Sequence, residues 1–215
     1  MKRLILIAVI TLLIFTAGSA AWHTVRLKHN GKAVAHILVQ PVIADAALKE
    51  KIRRMADAAV QYTSLHQFNT QYFFLVDMSI ESGRQRFFVY DMKKNSVLMA
   101  GLVTHGCCNK NWLTGRQYGN DVGCGCTSLG KYKVGKPYQG KFGLAYKLYG
   151  LNPTNSNAYS RFVVLHSMQC VPGHEVAPYP ICQSDGCPTV SPGFLKELSS
   201  LIDNSKKPLL LWIYE

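Results

Sequence analysis

Apolar residues recur at two different spacings along the chain, and the change of spacing separates a helical segment from a β-rich one. Between positions 43 and 60 they fall three and four residues apart, which predicts an amphipathic helix. After Asn69 the apolar runs are short, rich in β-branched and aromatic residues, and separated by turn residues, which is typical of strands. The predicted strands cover positions 72–78, 86–90, 96–103, 130–134, 144–151 and 162–166.

The last part of the chain returns to helical spacing and then ends on one more apolar run. Ser191 and Pro192 are typical of a helix start, the serine as the cap and the proline as the first helical residue. One apolar stripe follows, made of Phe194, Leu195, Leu198, Leu201 and Ile202. Positions 209–214 predict a final strand, and the short connections favour antiparallel pairing. The predicted fold class is therefore mainly β, a sandwich or barrel with two packed helices.

The first residues have the pattern of an export signal. Lys2 and Arg3 precede an apolar run over positions 4–15, and small residues follow at positions 17–21. This predicts a signal peptide over residues 1–21 that is cleaved near Ala20 or Ala21. The alternative is an uncleaved N-terminal anchor, because the apolar stretch approaches the roughly 20 residues that span a bilayer. Both interpretations predict an exported protein in the periplasm or cell envelope, and both permit disulfides.

The length and net charge of the chain indicate its domain organisation and the kinds of partner that it can bind. The 215 residues carry a formal net charge of +12, which falls to +10 when Lys2 and Arg3 leave with the leader (12 − 2). Residues 22–70 are predicted to form an N-terminal extension that includes the helix, and residues 71–215 one domain. A basic exported protein suits an anionic cell-wall polymer as partner. Nucleic acid is not expected, since the sequence has no DNA-reading motif, and a membrane is expected only through an uncleaved leader.

Seven cysteines in an exported chain leave one over when six form pairs. Neighbouring cysteines form strained bridges with each other, so pairing is expected between the Cys107/Cys108 cluster and the Cys124/Cys126 cluster. A third bridge, between Cys170 and Cys182, would close a proline-rich loop. The alternative for the two clusters is a zinc site, with His105 as a further ligand. The favoured expectation is no metal and no cofactor.

Cys187 is the cysteine that remains free, and its neighbours suit a nucleophile. A turn at Gly186 can direct backbone N–H groups toward a developing oxyanion. A thiol needs a base or a cation to become a thiolate, and His166, at the end of an apolar strand, is the candidate base. Asp185 places a carboxylate beside the sulfur, which by itself would raise the pKa of the thiol.

His166 followed by the sequence Ser184-Asp185-Gly186-Cys187 resembles the L,D-transpeptidase (YkuD-type) catalytic domain family. Several further stretches resemble the family in the same order, at positions 74–77, 86–91, 103–106, 128–130, 138–141, 148–151 and 186–188. The resemblance therefore covers most of the chain from about residue 70. It implies that residues 71–215 form a β-rich catalytic domain.

The resemblance also implies a substrate and roles for particular residues. Cys187 would attack a peptidoglycan stem peptide at the carbonyl between the third residue, a diamino acid, and a terminal D-amino acid. His166 would take the thiol proton and later activate an amine acceptor, which makes the protein a peptidoglycan L,D-transpeptidase. Gly186 and Ser184 complete the expected catalytic set. The expected substrate-binding residues are His105, Ser128 and Ser167.

Two alternatives remain open from the sequence. The chain could be an L,D-carboxypeptidase that trims stem peptides with water as the acceptor. It could also be a catalytically inactive, disulfide-stapled wall-binding protein, in which Cys187 would be buried or paired and inert. The group that orients His166 is open as well, with Ser167 or a backbone carbonyl as candidates.

Overall fold

The computed structural model describes Ile43 and residues 45–215. The predicted leader and most of the extension lie outside these residues. The described residues contain two helices, α1 (Ala46–Leu65) and α2 (Pro192–Asp203), and a short 3-10 turn at Pro153–Asn155. The strands are β1 (Tyr72–Asp77), β2 (Phe87–Asp91), β3 (Ser96–Gly101), β4 (Gly130–Gly140), β5 (Gly143–Gly150), β6 (Val164–Ser167), β7 (Thr189–Val190) and β8 (Leu210–Tyr214).

All eight strands form one sheet in the order β3-β2-β1-β8-β4-β5-β6-β7. Neighbouring strands are antiparallel except for the β1–β8 and β6–β7 pairs, which are parallel. The expectation of a mainly β fold with two packed helices is confirmed. Across the described ranges, no helix is both long and apolar enough to cross a membrane.

Helix α1 covers one face of the sheet. It begins after Asp45, whose side chain accepts the backbone N–H of Ala47 at 2.8 Å, an N-cap that satisfies an otherwise unpaired donor. The predicted helix over positions 43–60 therefore starts three residues later and ends five residues later than expected. Its buried side chains include Ile52 and Ala56, which join an apolar cluster with Phe73 of β1.

Helix α2 closes the larger core on the other face. Ser191 caps it as predicted, since its hydroxyl accepts the N–H of Phe194 at 3.2 Å. Leu195 and Leu198 pack in the same cluster as Phe74 and Val76 of β1. Because β1 alternates its side chains between the two clusters, all but the first of its residues are buried.

The β4–β7 end of the sheet carries the chemistry-bearing residues. His166 of β6 lies opposite Ala145 of β5 and opposite Thr189 of β7. The prediction for β4 ended at position 134, whereas the strand continues to Gly140 past an irregularity between Val134 and Pro137. Pairing with β5 extends β4 through a polar segment that has the composition of a turn.

Candidate active site

Cys187 lies at the end of a tight turn that leads into β7. The Ser184 hydroxyl donates to the carbonyl oxygen of Cys187 at 2.7 Å and accepts the N–H of Gly186 at 3.2 Å. Gly186 has a φ of +104°, and a Cβ there would lie 2.5 Å from the carbonyl oxygen of Cys126. The turn therefore requires glycine at this position. Since Ser184 engages the Gly186 N–H, that group is not free to serve as an oxyanion donor in this state.

His166 and Cys187 lie at the same edge, formed by β6 and β7, and the Thr189 hydroxyl lies between His166 Nε2 and the backbone oxygen of Cys187. The backbone N–H of Val164, two residues before His166 in β6, donates to Cys187 Sγ at 3.4 Å. His166 Nδ1 lies 3.1 Å from the backbone oxygen of Ser167. A carbonyl oxygen only accepts, so Nδ1 carries the proton and Nε2 presents its lone pair. The Thr189 hydroxyl lies 3.2 Å from His166 Nε2 and 3.3 Å from the carbonyl oxygen of Cys187.

An aromatic ring covers the histidine. Phe142, in the turn between β4 and β5, stacks on His166 with ring centroids 4.7 Å apart and planes 17° from parallel. Phe142 is itself 54% exposed. It therefore shields one face of the imidazole from water while remaining at the surface.

The pKa shifts of the pair keep both groups neutral. Burial raises the pKa of the Cys187 thiol above its ordinary value; the Asp185 carboxylate acts in the same direction, against the Val164 N–H and the Arg161 guanidinium. Burial lowers the pKa of His166, and the backbone oxygen of Ser167 opposes that shift. At neutral pH the pair is therefore a thiol and a neutral imidazole.

Arg161, in the turn before β6, binds the loop that precedes β4. Its guanidinium donates to the backbone oxygens of Gly119 (3.0 Å) and Cys126 (2.5 Å) and to the hydroxyl of Ser128. The Ser128 hydroxyl in turn donates to Gly119 O at 2.7 Å. Ser128 is 2% exposed, so the structure places this predicted substrate-binding residue in a buried hydrogen-bond network.

The family model of the L,D-transpeptidase catalytic domain matches residues 44–214 of the chain. The match includes α1, all eight strands and both residues of the candidate pair. This chain belongs to the L,D-transpeptidase catalytic domain family.

Solved structures give weaker likenesses. They include the Ldtfm–avibactam carbamoyl enzyme (TM-score 0.41, 13% identity), an L,D-transpeptidase from Mycobacterium smegmatis (0.40, 13%) and the helical cell shape determining protein Pgp2 from Campylobacter jejuni (0.37, 12%). Each alignment covers 67% of this chain and, in the same order, 49%, 59% and 48% of the other chain. A search of curated proteins found no match.

Two disulfides are present in this L,D-transpeptidase domain. Cys108 pairs with Cys126, which is the predicted type of bridge between the two clusters. Cys170 pairs with Cys182 and closes the proline-rich loop, as predicted. Cys187 is free.

The expectation of three bridges is wrong, because Cys107 and Cys124 are also free. Their sulfurs have different neighbours: Cys107 Sγ lies 3.7 Å from a carboxylate oxygen of Asp185, and Cys124 Sγ accepts the N–H of Cys126 at 3.4 Å. The zinc alternative has no support either. Within residues 45–215, no group of three His, Cys, Asp or Glu side chains could hold a metal ion.

His105 lies in a separate pocket from the thiol pair. Its Nδ1 is 3.1 Å from the Arg86 guanidinium and its Nε2 is 3.2 Å from the side-chain nitrogen of Gln183. Its backbone oxygen accepts the N–H of Ser184 at 3.0 Å, which ties it to the thiol turn. The other predicted substrate-binding residue, Ser167, contacts His166 through its backbone oxygen.

Sequence analysis did not identify three residues of the site as functional groups. Arg161 reaches partners 33 to 42 positions away in sequence, and no local pattern predicts such contacts. Phe142 faces His166 only because the β4–β5 hairpin returns over β6. Thr189 lies two positions after Cys187, so a polar residue in that strand was the one local signal for it.

Proposed function

We propose that this domain is a cysteine-dependent peptidoglycan L,D-transpeptidase with Cys187 as nucleophile and His166 as general base. The observation that carries the proposal is the position of Cys187 Sγ, held by the Val164 N–H of the strand that also presents His166. Family membership supports the reaction class. Stem peptides are the proposed substrate, and the cell envelope is the proposed location.

The first half of the reaction forms a thioester. Cys187 Sγ attacks the carbonyl carbon between the third residue and the terminal D-amino acid, and His166 Nε2 takes the thiol proton. The Thr189 hydroxyl then turns its proton from Nε2 toward the carbonyl oxygen of Cys187 and accepts from the imidazolium. We assign the Cys187 N–H as oxyanion donor, because Ser184 engages the Gly186 N–H. The imidazolium protonates the departing amine as the C–N bond breaks.

The second half transfers the acyl group. An acceptor amine attacks the thioester while His166 Nε2 removes one of its protons, and the C–S bond breaks. The sulfur leaves as thiolate and takes the proton back from the imidazolium, which restores the neutral pair. The backbone oxygen of Ser167 keeps Nδ1 protonated throughout, so Nε2 alone exchanges the proton.

The test is acylation followed by peptide mapping. The protein is incubated with a carbapenem or a stem tetrapeptide, and the adduct is located by mass spectrometry, because Cys107 and Cys124 are also free thiols. We expect the adduct on Cys187, its loss in Cys187→Ser, and strongly slowed formation in His166→Ala with unchanged unfolding. Cys124→Ser is the matched control and should react as the parent does.

The products separate the alternatives. Cross-linked dimers with release of the D-amino acid support the transpeptidase, whereas release without dimers would identify a carboxypeptidase. No adduct on Cys187 in a folded protein would indicate the inactive wall-binding protein and overturn the proposal.

We also propose that the anionic cell-wall polymer expected from the net charge occupies a groove of about 780 Å³. The groove combines two tyrosines, Tyr138 and Tyr149, with five lysines: Lys133, Lys136, Lys147, Lys206 and Lys207. In the described part of the chain none of these lysines forms a salt bridge. Binding to isolated wall polymer should weaken with salt and with glutamine at positions 206 and 207. The control is Lys93→Gln with Lys94→Gln, which should bind as the parent does. Binding that does not change with salt concentration would refute the proposal.

A further inference from the structure

A pocket of about 330 Å³ lies beside the segment that leads to Cys187, and it is called here the Arg86 pocket. Loops at positions 81–83, 112–116 and 178–180 form its walls. The side chains that matter to the argument are Arg86, His105, Trp112, Arg116, Tyr179 and Gln183. Its volume falls at the lower end of the range for small-ligand sites, roughly 300–1,000 Å³.

Arg86 is a buried cation that forms no salt bridge within the described residues. It is 1% exposed, and its guanidinium donates to the backbone oxygens of Val103 (2.9 and 2.8 Å) and Ile80 (3.0 Å). Over residues 45–215, no carboxylate oxygen lies within 4.0 Å of it. Burial and the neighbouring Arg116 lower the pKa of Arg86 to about 10 against the opposing effect of the more distant Asp77 carboxylate, so it remains charged at neutral pH. A buried charge of this kind favours an anion in the adjoining space.

His105 adds an N–H donor that lacks an acceptor from its neighbours. A guanidinium only donates, so the contact with Arg86 makes His105 Nδ1 the lone-pair nitrogen and leaves the proton on Nε2. The group beside Nε2 is the amide nitrogen of Gln183, at 3.2 Å, which is also a donor. Turning the Gln183 amide over would break its two bonds to the backbone of Leu113, at 2.8 and 2.9 Å.

The remaining groups at the pocket keep it donor-rich. Arg116 donates to the backbone oxygen of Ser79 at 2.6 Å and lies 3.7 Å from a carboxylate oxygen of Glu215. The acidic side chain of the lining, Glu81, is 66% exposed and faces Arg84 at 3.6 Å. Two guanidinium groups and one imidazole N–H therefore surround the space, with exposed aromatic rings at its rim.

We propose that the Arg86 pocket binds a carboxylate group. A carboxylate accepts hydrogen bonds on both oxygens and donates none, which matches the unpaired N–H of His105 and the charge of Arg86 and Arg116. The aromatic rim, Trp112 and Tyr179, suits the apolar part of an amino acid or short peptide that carries the carboxylate.

The pocket is within reach of a peptide bound at the thiol. Gln183 precedes Cys187 by four residues, which span at most about 14 Å, and the bond from Ser184 Oγ to the carbonyl oxygen of Cys187 makes the path shorter. A carboxylate of a peptide bound at the thiol therefore has to lie within this distance of the attacked carbonyl to enter the pocket. This link to the thiol rests on the proposed function, whereas carboxylate binding by the pocket does not.

The test uses Trp112 as reporter. It is 48% exposed at the rim, so its fluorescence should change when the pocket fills. The full chain carrying Cys187→Ser, which cannot form a thioester, is titrated with N-acetyl-D-alanine and with the neutral amide of the same compound. We expect saturable binding of the acid, at least tenfold weaker binding of the amide, and loss of the signal in Trp112→Phe.

Two variants give the matched comparison. Arg116→Gln should weaken binding of the acid about tenfold, since a charge-assisted contact is lost. Arg84→Gln removes an exposed charge close by but outside the lining and should leave binding unchanged. Arg86 itself stays intact, because it also holds the backbone at Val103 and Ile80. Equal binding of acid and amide, or unchanged affinity in Arg116→Gln, would overturn the proposal.

Two further ligands identify the source of the carboxylate. Tighter binding of an acid-terminated tetrapeptide than of acetate would support a stem peptide as the source. Equal competition by acetate and peptide would support a separate site for small carboxylates. Since neither readout needs Cys187, failure of acylation at the thiol and failure of binding in this pocket are separate results.

Discussion

Replacing Arg161 by methionine should destabilise the domain, because the arginine connects the turn before β6 to the cysteine-containing loop before β4. The change keeps the aliphatic stem and removes contacts to the oxygens of Gly119, Cys126 and Ser128. Hydrogen bonds from a charged donor contribute about 1.5–3 kcal/mol each. Arg161 is half-buried, so water can replace part of the three. We therefore expect the free energy of unfolding to fall by about 2–4 kcal/mol, measured by urea denaturation.

The Arg161→Met change should also lower the rate at which the Cys187 thiol is alkylated. Arg161 is the cation that lowers the pKa of Cys187 against the effect of burial. Without it the pKa rises further, so less thiolate is present at a given pH and alkylation of Cys187 should slow several-fold. The rate is measured with iodoacetamide and peptide mapping, because Cys107 and Cys124 react as well.

Arg161→Lys separates the two effects. The lysine ammonium keeps the positive charge but cannot donate to all three oxygens as the guanidinium does. This variant should therefore be destabilised nearly as much as Arg161→Met, while its thiol reactivity stays close to that of the parent. Arg84→Gln, an exposed arginine far from these contacts, serves as control. Parent-like unfolding of the methionine variant would refute the structural role of Arg161, and parent-like alkylation would refute its electrostatic role.

Further changes test other parts of the site. Gly186→Ala should destabilise by about 1–3 kcal/mol and slow acylation, because its Cβ meets the Cys126 oxygen; thermal unfolding beside the acylation rate checks this. Burial, Arg86 and Arg116 lower the pKa of His105 to about 4. Below about pH 6.5, His105 is therefore protonated in the unfolded chain but not in the native state. The free energy of unfolding should fall toward pH 4 by at most about 3 kcal/mol. His105→Gln should show less of this fall, whereas the exposed His174→Gln should not differ from the parent. Cys170→Ala opens a bridge between residues 12 positions apart and should cost about 3 kcal/mol with partial loss of activity; free thiols at both positions in the parent would contradict it.

Much of the fold follows from local patterns. Periodic apolar positions locate α1 and most strands within a few residues, and the Ser191 cap with Pro192 marks the start of α2. Strand β7 was not predicted, since two residues carry no period. The extension of β4 to Gly140 was missed because its stability comes from pairing with β5 and not from composition.

The candidate site divides in the same way. Cys187 and His166 could be selected because an unpaired Gly-Cys and a strand-end histidine are visible in sequence. The network around Arg161 could not, since it depends on loops more than thirty positions away. The cysteine count predicted three bridges; two are present, and the third is not, because Cys107 and Cys124 are free.

The neutral resting pair follows from competition between burial and charge. Burial acts on both partners and favours the uncharged form of each, and neither Arg161 nor the Val164 N–H reverses this for Cys187. The imidazole therefore presents an unprotonated Nε2 that accepts the Thr189 hydroxyl, and in the proposed mechanism this is the form that takes the thiol proton. Ser167 keeps the other nitrogen protonated, so the acceptor position is fixed by the backbone of β6. The nucleophile would then be generated during the attack, with the proton passing to a base that is already oriented.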